Sequence, residues 1–318
     1  MNCGHGHSQV SIIVRVFNEG QHIERLMKGI LSQKTSFSYE IIVVDSGSTD
    51  NTVSLALRFG AKVMHIARGE FSFGASINRG IETARGKYCV FISGHCYPLD
   101  ENWLETITRP FEDKRVALVY GKQRGNKITK FTEHRIFEKW YPEDGGGIQN
   151  SCFCNNANAA IRKDVWHRRR YNEQLTGLED IEWAKSAISG GYAVYYAPEA
   201  GVIHVHNESF LQIYRRYERE AVAMKAIYPD ETFSLIDFIK LFLLNSASDY
   251  VHAAQEGVFL RNIFTIAAMR FYQFWGTYRG YNLRKPVLGE LRNKFYYPAR
   301  PLLFKSRKDG AKAPKYHE

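Results

Sequence analysis

Five short stretches of the sequence carry side chains able to move protons, bind ions or read polar ligands. They are Asn18-Glu19, Asp45-Ser46-Gly47-Ser48, Ser93-Gly94-His95, Glu179-Asp180 and His204-Val205-His206. Carboxylates accept hydrogen bonds and can take a proton from a hydroxyl, while imidazoles ligate transition ions. Each stretch also has a plainer use. An Asp at a strand end can cap the helix that follows it. Glu179 and Asp180 in the first turn of a helix complement its dipole without any catalysis. Two His one residue apart on a strand point to opposite faces, so only one of His204 and His206 reaches an ion if the strand runs through both. What separates chemistry from coincidence is whether these stretches meet in one cleft.

The elements around them predict such a meeting. Val10–Val16 is a short continuous β-branched run, as expected of a buried parallel strand. Ile23, Leu26, Met27, Ile30 and Leu31 then recur at helical spacing. Residues 40–44 read as a second strand ending at Asp45, and residues 48–57 as a capped helix. A third strand over 61–66, a helix over 74–84 and a fourth strand over 88–92 follow. This alternation predicts a doubly wound α/β domain with a mostly parallel central sheet, in which ligands gather at the carboxyl ends of the strands. Asn18-Glu19, Asp45, Arg68 and His95 stand at those ends.

Further along, residues 102–111 read as helix, 116–120 as strand and 122–149 as a long polar loop able to act as a lid. Residues 153–162 read as strand and 178–190 as helix; 193–196 and 201–204 read as two short strands. After His206 the period turns helical. The expected organisation is a catalytic α/β domain over 1–206 and a helical C-terminal region over 207–318.

The chain has 318 residues, 44% hydrophobic content and a net charge of +10. A basic surface can attract nucleic acid, an anionic membrane or phosphorylated small molecules. No zinc-finger spacing or RNP-type aromatic box is present, so no nucleic-acid partner is expected. Much of the excess charge lies between Arg284 and Lys315. Five cysteines in so long a chain argue against a disulfide framework; Cys152 and Cys154 read as alternating across a strand. No apolar run reaches the roughly 20 residues of a membrane span, and residues 1–9 lack a signal-peptide core. A cytoplasmic location is expected.

The stretch Val10-Ser11-Ile12-Ile13-Val14-Arg15-Val16-Phe17-Asn18-Glu19, taken with Ile41-Ile42-Val43-Val44-Asp45-Ser46-Gly47-Ser48-Thr49-Asp50, resembles the family 2 glycosyltransferases. The resemblance runs from residue 10 to residue 210 and is nearest to bacterial rhamnosyltransferase-like members, which make cell-surface polysaccharides. It implies a GT-A fold, a nucleotide-sugar donor carrying UDP or dTDP, and inversion at the anomeric carbon.

By that resemblance, Asp45 accepts the imide N–H of uracil or thymine, and Val14, Asn18, Glu19 and Ser46 line the nucleotide site. Asn78 matches a family stretch, but Ile77 stands where the family has Arg; Arg79 and Arg68 are the two candidate substitutes near the diphosphate. Asn156 and Asn158 fall in an Asn-rich segment that lies under the donor sugar in the family. Asp180 corresponds to the base that deprotonates the acceptor hydroxyl, and Glu179 to a residue that positions the acceptor. The largest departure is Ser93-Gly94-His95, where the family carries an acidic Asp-x-Asp or Ser-x-Asp motif for Mn2+ or Mg2+. His95, His204 and His206 are the candidate ligands here, and imidazole suits Mn2+ better than Mg2+; a metal supported by other residues, and metal-free chemistry with cations replacing the ion, stay open beside that site.

The expected acceptor is a glycan or a lipid-linked glycan. The basic tail and the aromatic stretch from Phe274 to Tyr281 suggest contact with the inner face of the membrane. Two other readings compete: a nucleotidyltransferase acting on a sugar phosphate, and a non-catalytic sugar- or membrane-binding module. The Gly-x-Gly-x-x-Gly of a dinucleotide-binding oxidoreductase is absent.

Overall fold

The computed structural model describes residues 9–283. Cys3 and the basic tail from Arg284 to Lys315 lie outside the described residues.

Strands β1 (Val10–Val16), β2 (Tyr39–Asp45), β3 (Lys62–His65) and β4 (Tyr88–Ser93) form a parallel group in the order β3-β2-β1-β4. Helices α1 (Ile23–Leu31), α2 (Thr52–Arg58) and α3 (Phe73–Thr83) connect them. Alternation along β1 feeds two core layers. Ile12, Val14 and Val16 pack with Ile23, Leu26, Met27 and Ile30 of α1, and with Trp103, Leu104 and Ile107 of α4 (Trp103–Thr108). Ile13 belongs to the opposite layer, with Ile77 and Ile81 of α3. Burial on both faces explains why β1 and β2 read as continuous apolar runs.

The second half of the sheet is mixed. It comprises β5 (Cys96–Pro98), β6 (Val116–Arg124), β7 (Gly147–Gln149), β8 (Asn158–Arg162) and β9 (Ala193–His204). The order continues from β4 through β8, β6 and β9 to β5, with β7 beside β9. β8 runs antiparallel to both β4 and β6, while β6 and β9 are parallel.

Four local expectations are corrected. Residues 122–149 are no single loop: β6 continues to Arg124, and helix α5 (Phe131–Trp140) and β7 follow. The buried face of α5 is Thr132, Glu133 and Phe137, two of them polar, so no apolar period betrayed it. Residues 193–204 form one strand, with an irregularity over residues 198–201 where its pairing with β6 jumps from Ala197 to Val202. β8 starts at Asn158 rather than at 153, since Asn155 builds a turn through its Oδ1 to the Ala157 N–H (2.9 Å) and its carbonyl to the Asn158 N–H (3.1 Å). Cys152 and Cys154 therefore lie before the strand, and both are free thiols.

Helices α6 (Lys163–Arg168) and α7 (Glu179–Ser189) precede β9, and α8 (Phe210–Ile227), α9 (Leu235–Gln255) and α10 (Phe259–Tyr281) follow it. Ser209 and Gln212 form a reciprocal capping box that starts α8. No helix among the described residues is long and apolar enough to cross a membrane.

Candidate active site

β9 ends at His204, and α8 begins only at Phe210. The backbone thus leaves strand geometry before His206, and the two imidazoles turn toward each other, with Nε2 atoms 2.9 Å apart. The expectation that a continuous strand would separate them does not apply. His95 comes from the turn after β4 and places its Nε2 3.1 Å from that of His204.

The outer nitrogens are all held. His95 Nδ1 meets Glu19 Oε1 at 2.7 Å, His204 Nδ1 meets Gln123 Oε1 at 2.6 Å, and His206 Nδ1 meets Glu133 Oε1 at 2.7 Å. An ionised carboxylate or an amide oxygen can only accept, so each Nδ1 is the donor and a neutral ring leaves a lone pair on Nε2. Burial, then the neighbouring His206 and His95, push the His204 pKa well below its ordinary value. Three lone pairs converging in a half-buried space repel one another unless a cation lies between them. A ring nitrogen outward and an acceptor behind it is how metal-binding imidazoles are usually held. His95, His204 and His206 thus fit a divalent ion in their donor set and their arrangement.

Local backbone aims Glu19 at His95. Asn18 takes a left-handed φ of 56°, rare outside glycine though tolerated by Asn. Its N–H donates to Ser48 Oγ (2.8 Å) and its Oδ1 accepts from the Thr49 N–H (2.8 Å), while the Glu19 N–H donates to Thr52 Oγ1 (2.8 Å). Gly94 leaves the room: a Cβ there would lie 2.7 Å from Glu19 Cγ and 3.0 Å from Val16 Cγ1.

A second cluster forms where α7 begins, after Leu178 with a φ of 56°. Asp180 is buried, and its two oxygens accept from the Asn156 N–H (3.0 Å) and the Ile181 N–H (2.9 Å). Glu179 Oε1 receives Arg15 Nη1 (3.4 Å) and Asn156 Nδ2 (3.3 Å). Burial, reinforced by the charge of Glu179, pushes the Asp180 pKa up to about 7. Two links join this cluster to the imidazoles. The Arg15 carbonyl accepts the Gly94 N–H (3.0 Å), and the Ser93 N–H donates to the Ala157 carbonyl (3.3 Å).

Asp45 ends β2 on the far side of β1. Its carboxylate accepts from the N–H groups of Gly47 (3.2 Å) and Ser48 (3.0 Å) and meets His65 Nδ1 at 3.0 Å. Burial opposes ionisation, but these donors outweigh it and lower the pKa. Ser46 ties the same loop to β1 through Val16.

The sequence model of Glycosyl transferase family 2 matches residues 11–175. The chain is a family 2 glycosyltransferase. Among its relatives are the O-antigen chain rhamnosyltransferase WbaN of Salmonella anatum, 28% identical over 65% of this chain and 69% of that protein, and RfbN of Salmonella typhimurium, 26% identical over 66% and 70%. The glycosyltransferase thus stands close to bacterial rhamnosyltransferases. Its fold is similar to that of the mannosyltransferase PcManGT from Pyrobaculum calidifontis, solved in complex with GDP-Man and Mn2+, with a TM-score of 0.58 over 92% of this chain and 88% of that one at 18% identity.

The structure gives four expected site residues of this glycosyltransferase partners within the protein. Val14 is fully buried in the sheet core and reaches no cleft. Asn78 has all its polar valences filled, by the Tyr171 carbonyl (2.9 Å), Glu173 (2.8 Å), Trp166 Nε1 (2.9 Å) and the Tyr171 N–H (3.1 Å). Arg79 is turned outward onto Glu70 (2.8 Å). Asn158 joins the Lys122 and Ala200 carbonyls to Trp103 Nε1. Conversely, Arg15, Gln123 and Glu133 were not anticipated. Arg15, the one charged residue of β1, was the available signal; Gln123 and Glu133 lay in the segment read as loop.

Proposed function

We propose that this enzyme moves a sugar, with inversion, from a UDP- or dTDP-linked donor to a hydroxyl of a cell-surface glycan or lipid-linked glycan. The observation that carries this reading is a buried carboxyl of raised pKa, Asp180, bonded to the Asn156 N–H in a segment that is itself hydrogen-bonded to the end of β4, where His95 follows. A base working near neutrality needs such a pKa, because it must be ionised yet able to hold a proton. Asp180 takes the proton of the acceptor hydroxyl. Glu179, held by Arg15 and Asn156, orients that hydroxyl.

His95, His204 and His206 would hold a divalent ion, and such an ion supplies charge for the departing diphosphate. An all-imidazole donor set favours a transition ion such as Mn2+ over Mg2+, which prefers oxygen. The Mn2+ of the archaeal mannosyltransferase is consistent with that preference. Glu19, Gln123 and Glu133 keep the three rings in register from behind.

Asp45 reads the base. Of its internal donors, the His65 imidazole, with 65% of its side chain exposed, is the one that an imide N–H of uracil or thymine can replace. The relatives that extend O-antigen chains favour a polysaccharide or its lipid-linked precursor as acceptor.

A thermal-shift panel of UDP-, dTDP-, GDP- and CMP-sugars, each with Mn2+ or Mg2+, tests the reading. Stabilisation by a uridine or thymidine donor with Mn2+ is expected. Selective stabilisation by GDP- or CMP-sugars would remove Asp45 from base recognition. Pyrophosphate release from a nucleoside triphosphate and a sugar phosphate would replace sugar transfer by nucleotidyl transfer.

A further inference from the structure

Helices α9 and α10 form an antiparallel hairpin. Tyr281 stacks on Phe233, and Asn282 Nδ2 donates to the Phe233 carbonyl (2.9 Å), so the end of α10 meets the start of α9. One side of α10 is spoken for by α8. A Cβ on Gly276 would lie 2.5 Å from the Tyr214 carbonyl, and one on Gly280 2.4 Å from the Glu218 carbonyl. Phe238, Phe242, Phe271 and Trp275 interlock the two hairpin helices.

What remains is an apolar face without a partner among the described residues. Leu260 and Phe264 of α10 are 86% and 85% exposed, and Ile236 of α9 is 75% exposed. Ile239, Leu243, Leu244 and Val251 continue the surface along α9. At 3.6 residues per turn the exposed α9 positions occupy about one half of the helix; Lys240 is the sole charge among them, and Asp237 at the edge of that half is engaged in the Ser234 capping box. Exposed apolar side chains grouped in this way mark a surface that meets a partner or a membrane.

We propose that this face lies on an anionic lipid bilayer, with α9 and α10 parallel to the surface. Charge decides against the other obvious occupant, a second copy. Two residues beyond α10, at the end where Ile236 and Ile239 sit, the sequence enters a 284–318 segment with ten Lys and Arg against Glu290, Asp309 and Glu318. Acidic headgroups complement a segment of that charge, which a second copy of the same chain does not. Neither helix can cross the bilayer, so an in-plane seat is the remaining geometry. The proposal deepens the reading of a lipid-linked acceptor, since α8 starts just after His206 and packs on α10.

Flotation of the full chain with vesicles tests this without donor or acceptor, so its outcome is independent of the transferase chemistry. Vesicles of phosphatidylglycerol with phosphatidylcholine should carry the protein up, and phosphatidylcholine alone should carry far less. The pair Leu260→Ser and Phe264→Ser removes two side chains that touch solvent, not core. It should weaken partitioning about ten-fold or more, with an unchanged melting temperature. Replacing Lys and Arg of the tail by Gln should weaken it for anionic vesicles only. Wild-type flotation by the double variant overturns the proposal. So does a wild-type dimer in sedimentation velocity that the double variant converts to monomer.

Discussion

His95 and His204 face one another with Nε2 atoms 3.1 Å apart and ring planes only 25° from parallel, although 109 positions separate them in the chain. Both Nδ1 atoms are committed to acceptors, so the facing nitrogens are both lone-pair carriers. That arrangement is sensible around a cation. His204, which meets both other rings, would be the central ligand of such an ion. His204→Ala should lower Co2+ or Mn2+ affinity at least about ten-fold, read as loss of the Co2+ visible spectrum on titration. An unchanged Co2+ spectrum would place the ion elsewhere.

Glu19 is a positioning residue for His95. Glu19→Gln keeps an acceptor for Nδ1, whereas Glu19→Ala removes it. Metal affinity should fall about ten- to a hundred-fold in the Ala variant and much less in the Gln variant. Gly94→Ala should act like Glu19→Ala, because its methyl would push Glu19 aside. Equal losses in Gln and Ala variants would show that the charge of Glu19, not its aim, is what matters.

Asp180→Asn removes the proposed base and keeps the side-chain shape, though its amide nitrogen cannot accept from one of the two N–H groups of Asn156 and Ile181, so the melting temperature is measured alongside. Transfer should drop about 100- to 10,000-fold, with donor affinity measured by calorimetry changed little. Turnover close to that of wild type would take Asp180 out of the proton transfer.

The pH response follows from the same residue. The Asp180 pKa is raised, by burial first and Glu179 second, to about 7. The active form is ionised, so kcat/KM should climb as pH passes 7 and fall about ten-fold per unit below it. Stability runs the other way. A carboxyl that holds its proton more tightly in the folded state favours folding below its unfolded pKa of about 4, and this contribution is lost as pH rises through about 7. A flat rate profile across pH 5 to 8 would contradict the raised value.

The parallel half of the sheet was legible because β1, β2 and β4 are buried on both faces and advertise it in Val and Ile. Asp180, His95, His204 and His206 were visible as polar residues at the right ends of elements. Two things were hidden. The meeting of His204 and His206 depends on where β9 stops, at His204 opposite Cys96 of β5, which no property of the histidines announces. The holders Gln123 and Glu133 sit on elements whose buried faces are partly polar, so periodicity reports a loop there. Asn78 and Asn158 looked like ligand-binding amides; their partners are distant carbonyls and indoles that no local pattern can reveal.

Asn158 offers the sharpest separation of a structural from a sugar-binding role. Its Nδ2 donates to the Lys122 carbonyl (3.1 Å) and the Ala200 carbonyl (2.8 Å), and its Oδ1 accepts from Trp103 Nε1 (2.9 Å). The residue is completely buried, and so is Trp103. Asn158→Ala leaves a buried indole N–H and two carbonyls without this partner, each worth about 1–3 kcal/mol when unsatisfied and not fully additive. A loss of roughly 3 kcal/mol is expected, which lowers the melting temperature by several degrees. Asn158→Asp should be worse, because it turns an acceptor toward two carbonyl oxygens. The fraction that remains folded should bind donor as wild type does. An Ala variant with wild-type melting but lost sugar transfer would reverse the assignment and return Asn158 to the donor site.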